Sequence, residues 1–211
     1  MNVTSVNRAL LHSITKPIIW LLCLAPATWL VYGLFANSLG PNPAEALIRG
    51  TGDWALRMLC LALAITPIRQ IFNLYALAKI RRLIGLFAFF YVVLHAVCYA
   101  WFDMYWQWAD IWQDILQRPF ILVGMLTFCV LLLMTLTSPK AVLKAMGAKN
   151  WQRLHRCIHL AAWLALLHFY WMRLGKNNLN EVFIYVAIVV ALQGWRVYKH
   201  TRPMPQQHKA I

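Results

Sequence analysis

Apolar residues fall into six stretches along the chain, roughly 17–35, 54–71, 83–102, 120–137, 154–172 and 182–198, separated by short polar segments. Each is close to the ~20 residues that an α-helix needs to cross a hydrocarbon core at about 1.5 Å per residue. A backbone in lipid must satisfy its own N–H and C=O groups, so all six stretches are predicted to be helices. The first stretch is too long for a secretion signal, lacks a small-x-small cleavage site and leads into five further spans. It is therefore expected to stay in the mature protein. The fold class is all-α: a polytopic membrane bundle of six transmembrane helices, with residues 1–211 forming a single transmembrane domain.

Turn-forming residues mark the ends. Gly40-Pro41-Asn42-Pro43 and Gly50-Thr51-Gly52 are expected to break the first outer loop, while Thr66-Pro67 and Ser138-Pro139 mark inner ends. No internal repeat or low-complexity stretch is evident. The loops are short and little chain follows His200, so no nucleotide-binding module is expected, and any reductant must come from another molecule.

Charge then orients the bundle. Alternating the loops puts Arg8, Lys16, Arg69, Lys79, Arg81, Arg82, Lys140, Lys144, Lys149, Arg153, Arg156, Arg196, Lys199, Arg202 and Lys209 on one side. Only Arg49, Arg57, Arg118, Arg173 and Lys176 fall on the other. The positive-inside rule assigns the basic side, with both termini, to the cytoplasm. All six acidic residues, Glu45, Asp53, Asp103, Asp110, Asp114 and Glu181, fall on the opposite side. The net charge of +14 thus reads as membrane orientation rather than nucleic-acid binding, because the chain is 62% apolar and only 12% charged. Five cysteines lie scattered in apolar runs with no CxxC pair, which points to neither a disulfide framework nor a zinc site. The eleven tryptophans, many of them within 101–112 and 163–171, read as an interfacial belt.

The chemistry rests on histidine. His95 lies 13 residues beyond Arg82, and His168 lies 12 beyond Arg156, which places both imidazoles about 18–20 Å from the basic face. Their helices run the same way, so the two rings can face each other at one depth. That arrangement suits a haem iron with both axial positions filled, a state that favours electron transfer over oxygen binding. His95 and His168 are the candidate metal ligands. A single membrane histidine can equally well bond a neighbouring carbonyl, and the shared depth is what favours the sharper reading. His155, thirteen residues before His168 on what reads as one helix, lies near the basic interface in a position for electron input to a cofactor or quinone. His159 shares its face at the i, i+4 spacing, and both could instead bond among Arg153 and Arg156. His12, His200 and His208 sit in polar ends and are expected to be solvated. Arg57 has two readings: a snorkelling side chain paired with Asp53 one turn earlier, or a contact for haem propionates. Gly85 and Gly124 could admit close approach of a helix or porphyrin.

The strings Arg81-Arg82-Leu83-Ile84-Gly85-Leu86 with Leu94-His95, and Trp151-Gln152-Arg153-Leu154-His155 with Leu167-His168, resemble the MsrQ (YedZ) family. Asn42-Pro43, Thr51-Gly52, Trp54-Ala55-Leu56 and Thr66-Pro67-Ile68-Arg69 match its earlier portion. The resemblance covers a haem-binding core of about 40–200 and extends to the wider ferric reductase-like transmembrane group. It implies a haem b subunit of the bacterial inner membrane that passes respiratory-chain electrons to a periplasmic molybdenum-cofactor methionine sulfoxide reductase, MsrP. Quinol or a cytosolic flavin reductase would be the donor, FMN is an implied cofactor with no residues assigned, and the sulfoxide chemistry belongs to the partner. His95, His155 and His168 match the family's histidine positions. Two positions depart from the wider pattern. Arg81 stands where larger reductase relatives carry a second histidine, and His159 stands where an aromatic residue is expected.

Two competing functions remain from the sequence. One is a non-redox transporter or proton relay, against which stands the lack of any mid-span carboxylate. The other is a metal reductase fed by a separate flavin reductase.

Overall fold

A computed structural model describes residues 2–175 and 179–201, so Lys176, Arg202, His208 and Lys209 lie outside the described residues. Ten α-helices are described: α1 (Val3–Leu11), α2 (Thr15–Phe35), α3 (Pro43–Ile71), α4 (Ala78–Cys98), α5 (Trp108–Gln117), α6 (Pro119–Leu136), α7 (Lys140–Met146), α8 (Ala148–His155), α9 (Ile158–Leu174) and α10 (Asn180–Thr201). A 3-10 turn (Tyr75–Leu77) precedes α4 and a π turn (Tyr99–Asp103) follows it. Six spans are long and apolar enough to cross a membrane: α2, α3, α4 with its two turns, α6, α8 with α9, and α10. The predicted multi-pass all-α architecture is the one observed, and the protein is a multi-pass membrane protein. The bundle's two ends are named here by their loops. α3 finishes and α4 begins at the basic end, and the opposite, acidic end carries α5.

α3 is the central helix. It buries Ala55, Leu56, Met58, Leu59, Cys60, Ala62 and Leu63 along its middle, whereas α2 and α10 each bury only two residues. α3 packs most extensively on α4, and α6 on α9, giving two antiparallel pairs around one core. A fully buried tyrosine ties α2 to this core. Pro26 sits inside α2. One residue later, the Ala27 N–H donates to Tyr91 Oη at 3.1 Å, and the Tyr91 hydroxyl donates to the Cys23 carbonyl at 2.7 Å. The hydroxyl thus bridges the helical bond that would join residues 27 and 23, the kind of insertion that bends a helix. Removing it with Tyr91→Phe leaves a buried N–H and C=O unpaired. The expected loss is about 1–2 kcal/mol, read as a lower melting temperature in detergent.

Several sequence expectations need correction. Gly50-Thr51-Gly52 does not break the first outer loop, because α3 already starts at Pro43, where the Asn42 side chain accepts from the Glu45 N–H at 3.1 Å. These glycines leave room for neighbours packed on the helix: a Cβ on Gly50 would lie 2.8 Å from Leu30 Cδ2. Thr66-Pro67 does not end α3, which runs on to Ile71. His155 and His168 share one membrane span, but a short interruption at Arg156 and Cys157, where the backbone stays right-handed helical, divides it into α8 and α9. The short helices α1, α5 and α7 were not anticipated. Two of them pack at the bundle ends: α1 is pinned by buried Asn7, which bonds the Asn73 carbonyl and the Ala76 N–H, and α5 packs on α6. Ser138-Pro139 does mark the end of α6, and exposed Trp101, Trp106, Trp108 and Trp112 form a belt at the acidic end.

Candidate functional site

The structure brings the rings of His95 on α4 and His168 on α9 together. Their ring centroids are 6.1 Å apart and the ring planes cross at 77°. His95 Nδ1 lies 2.8 Å from the Ile48 carbonyl on α3, and His168 Nδ1 lies 2.7 Å from the Phe120 carbonyl on α6. A carbonyl can only accept, so each Nδ1 carries the proton and each Nε2 keeps its lone pair. This is the tautomer a metal ligand needs, with the outer support such ligands commonly have. Two opposed imidazoles bonded to one ion at ~2.0–2.1 Å place their centroids roughly 6 Å apart. Among the described residues no cluster of three or more His, Cys, Asp or Glu side chains could hold a metal, so His95 and His168 stand as a pair.

Glycine makes both rings fit. Gly52 lies one turn after Ile48, and Gly124 lies one turn after Phe120. A Cβ on Gly52 would sit 3.0 Å from His95 Nδ1, and one on Gly124 would sit 2.9 Å from His168 Nδ1. The unit recurs along the chain: Ile48 and Gly52 are matched 72 residues later by Phe120 and Gly124, and His95 is matched 73 residues later by His168. The structure therefore contains a repeat, α3–α4 and α6–α9, contrary to the expectation of none. Gly124 admits the close approach of the His168 ring rather than of a helix or porphyrin, and Gly85 has nothing within 4 Å of where a Cβ would stand.

One turn inward on α3 lies Arg57. It does not form the expected bond with Asp53: its Nε donates to Tyr185 Oη at 3.0 Å, and its guanidinium lies over the Trp54 ring at 4.7 Å. Asp53 instead faces Arg173 at 3.7 Å, and Arg173 bonds Glu181 at 2.7 Å while covering the Phe169 ring at 5.1 Å. This ion-paired group joins α3 to the end of α9 and the start of α10. Asp53 thus lies within a membrane-spanning helix, because α3 begins earlier than the apolar pattern indicates, and it is engaged by a cation.

At the basic end a cavity of about 820 Å³ opens between α4, α6, α7, α8 and α9. Its inner walls include Leu59, Ala62, Ala88 and Leu131, and its rim carries Arg81, Arg82, Lys140, Lys149, Arg153 and Arg156. His155 and His159 both line it. The His155 ring stacks on Trp151 at 3.8 Å, and its Nε2 lies 3.1 Å from Thr137 Oγ1. Trp151 Nε1 donates to the Thr137 carbonyl at 2.8 Å, which fixes the stack to the end of α6. Among the described residues the cavity is lined by no histidine besides these two, and Arg81 lines it with them.

A membrane bundle with two inward histidines on neighbouring spans defines a class, and the family model described as ferric reductase like transmembrane component matches residues 51–167. Similar relatives share the name protein-methionine-sulfoxide reductase heme-binding subunit MsrQ. The one from Polaromonas naphthalenivorans (strain CJ2) is 57% identical over 90% of this chain and 87% of its own. That of Caulobacter vibrioides is 43% identical over 88% and 87%, and that of Herminiimonas arsenicoxydans is 38% identical over 88% and 85%. The chain belongs to the MsrQ family. No solved structure matches it.

Proposed function

We propose that this chain is a haem-binding electron-transfer subunit of a protein-methionine-sulfoxide reductase system, with His95 and His168 as the axial ligands of one haem b. The observation that carries this reading is the pair of imidazoles 6.1 Å apart, each with Nδ1 tied to a helix carbonyl. The relatives' shared name, heme-binding subunit, supports it. Held this way, haem supplies a one-electron couple with no open iron position. The protein's own part is to fix both rings, keep both Nε2 lone pairs inward and exclude water with the surrounding apolar helices. Arg57, one turn from the histidine level and partly buried, is the cation available to propionates.

The direction of transfer follows from the charge pattern, which favours the bacterial inner membrane with the basic end and both termini in the cytoplasm. Electrons from quinol or a cytosolic flavin reductase would then enter near His155 and leave at the acidic end to MsrP, the periplasmic molybdenum-cofactor partner. FMN fits the basic cavity by chemistry: the arginine and lysine rim suits its phosphate, and the apolar wall suits its ring. Arg82→Gln combined with Arg156→Gln is expected to lower flavin retention at least tenfold, given roughly 1.5–3 kcal/mol per charge-assisted bond. Flavin fluorescence of the denatured protein measures that loss, and the haem spectrum should not change.

The test of function is reconstitution. Purified chain in detergent should show a reduced-minus-oxidised b-haem spectrum, and the reduced form should reoxidise when the sulfoxide reductase and a methionine sulfoxide substrate are added together. A chain that takes up haem but is not reoxidised by that pair would contradict the proposed acceptor.

A further inference from the structure

Resting on the haem reading above, we propose that Gly52 and Gly124 are positioning residues that hold the two axial imidazoles against their carbonyls and thereby set the reduction potential and affinity of the haem. The Ile48 and Phe120 carbonyls belong to α3 and α6, where each also faces the helical N–H one turn later, that of Gly52 and Gly124 respectively. For a histidine Nδ1–H to reach the same oxygen, the imidazole must lie over that later residue, in the space its Cβ would fill. At Gly52 a Cβ would meet His95 Nδ1 at 3.0 Å and Cε1 at 3.1 Å; at Gly124 it would meet His168 Nδ1 at 2.9 Å and Cε1 at 3.0 Å. These contacts differ in kind from that of Gly50, which would meet the flexible tip of Leu30. An imidazole bonded at 2.8 or 2.7 Å on one nitrogen cannot withdraw without losing that bond.

The consequence is electronic. A strong Nδ1–H···O=C bond raises the basicity of the ligating nitrogen, which favours ferric over ferrous iron. Gly52→Ala or Gly124→Ala displaces the ring, weakens the bond and makes the ligand less basic. The midpoint potential should then rise, and haem affinity should fall about 10- to 100-fold, as for other losses of outer support to a ligand. Because the two sites repeat the same geometry, the two variants should behave alike. Gly194→Ala, with nothing within 4 Å and outside both sites, should match the wild type in both measurements.

The experiment uses the full chain, depleted of haem and titrated with it, followed by potentiometry of the loaded protein. Wild-type affinity and potential in both Gly52→Ala and Gly124→Ala would overturn the proposal. Melting of the haem-free protein gives a second reading that survives poor haem loading. Gly52→Ala should lower the melting temperature in the wild-type background but not beside His95→Ala, where the imbedded ring is gone. An equal penalty in both backgrounds would overturn the assignment of the contact to His95. A wild-type chain that takes up no haem contradicts the proposed function, and the melting comparison then still decides the glycine contact.

Discussion

His95→Ala and His168→Ala should each cut haem content at least tenfold and remove the six-coordinate b-type spectrum of purified protein. Each substitution deletes one of the two proposed axial nitrogens. His155 cannot replace it, because its ring is stacked on Trp151 and bonded to Thr137 in the basic cavity. The loss also strands a partner: without the His95 ring, the Ile48 carbonyl loses its second bond, but it still faces the helical N–H one turn on, so the bundle should persist. His155→Ala is the control. It should keep the haem spectrum of His95 and His168 and show any effect only in the rate of reduction. Visible spectra of monodisperse protein, with haem counted against protein, decide the comparison.

Arg173→Ala should be the most destabilising charge removal at the acidic end. The Arg173 side chain is only 14% exposed and stands between Asp53 and Glu181. Deleting it leaves the largely buried Asp53 carboxylate without its cation while Glu181, about half exposed, keeps access to water, so the loss is expected at about 1–3 kcal/mol. Asp53→Asn should recover part of that loss when combined with Arg173→Ala, because it removes one of the unpaired charges. Thermal unfolding of the single and double variants measures both effects. If Asp53→Asn adds its own penalty on top of the first, the ion-paired group does not hold α3 to α9 and α10 as described.

The transmembrane plan was legible because a bilayer allows few solutions: long apolar runs have to be helices, and basic loops mark one end. His95 and His168 were legible for a related reason, since a polar ring deep in an apolar run at a repeated distance from arginine is uncommon. The carbonyls of Ile48 and Phe120 were not, because backbone acceptors leave no sequence signal. Gly52 was misread as loop punctuation. Its role depends on contact with His95, and the clue was its spacing: Gly52 precedes His95 by 43 residues, much as Gly124 precedes His168 by 44. Arg57 looked like a partner for Asp53 because i, i+4 geometry permits it. Tyr185 and Trp54 take Arg57 instead, and Arg173 arrives from a distant helix to take Asp53, a choice made by packing that local spacing does not reveal. The short helices α1, α5 and α7 escaped notice because they lie outside the long apolar runs.

Electron paramagnetic resonance of the oxidised, purified chain tests the central claim most directly. Imidazole planes crossed at 77° leave two iron d orbitals nearly equal in energy, so the account predicts a single low-spin ferric haem with a strongly anisotropic signal, lost in His95→Ala and in His168→Ala. A high-spin signal, or a low-spin signal that survives either substitution, would contradict it.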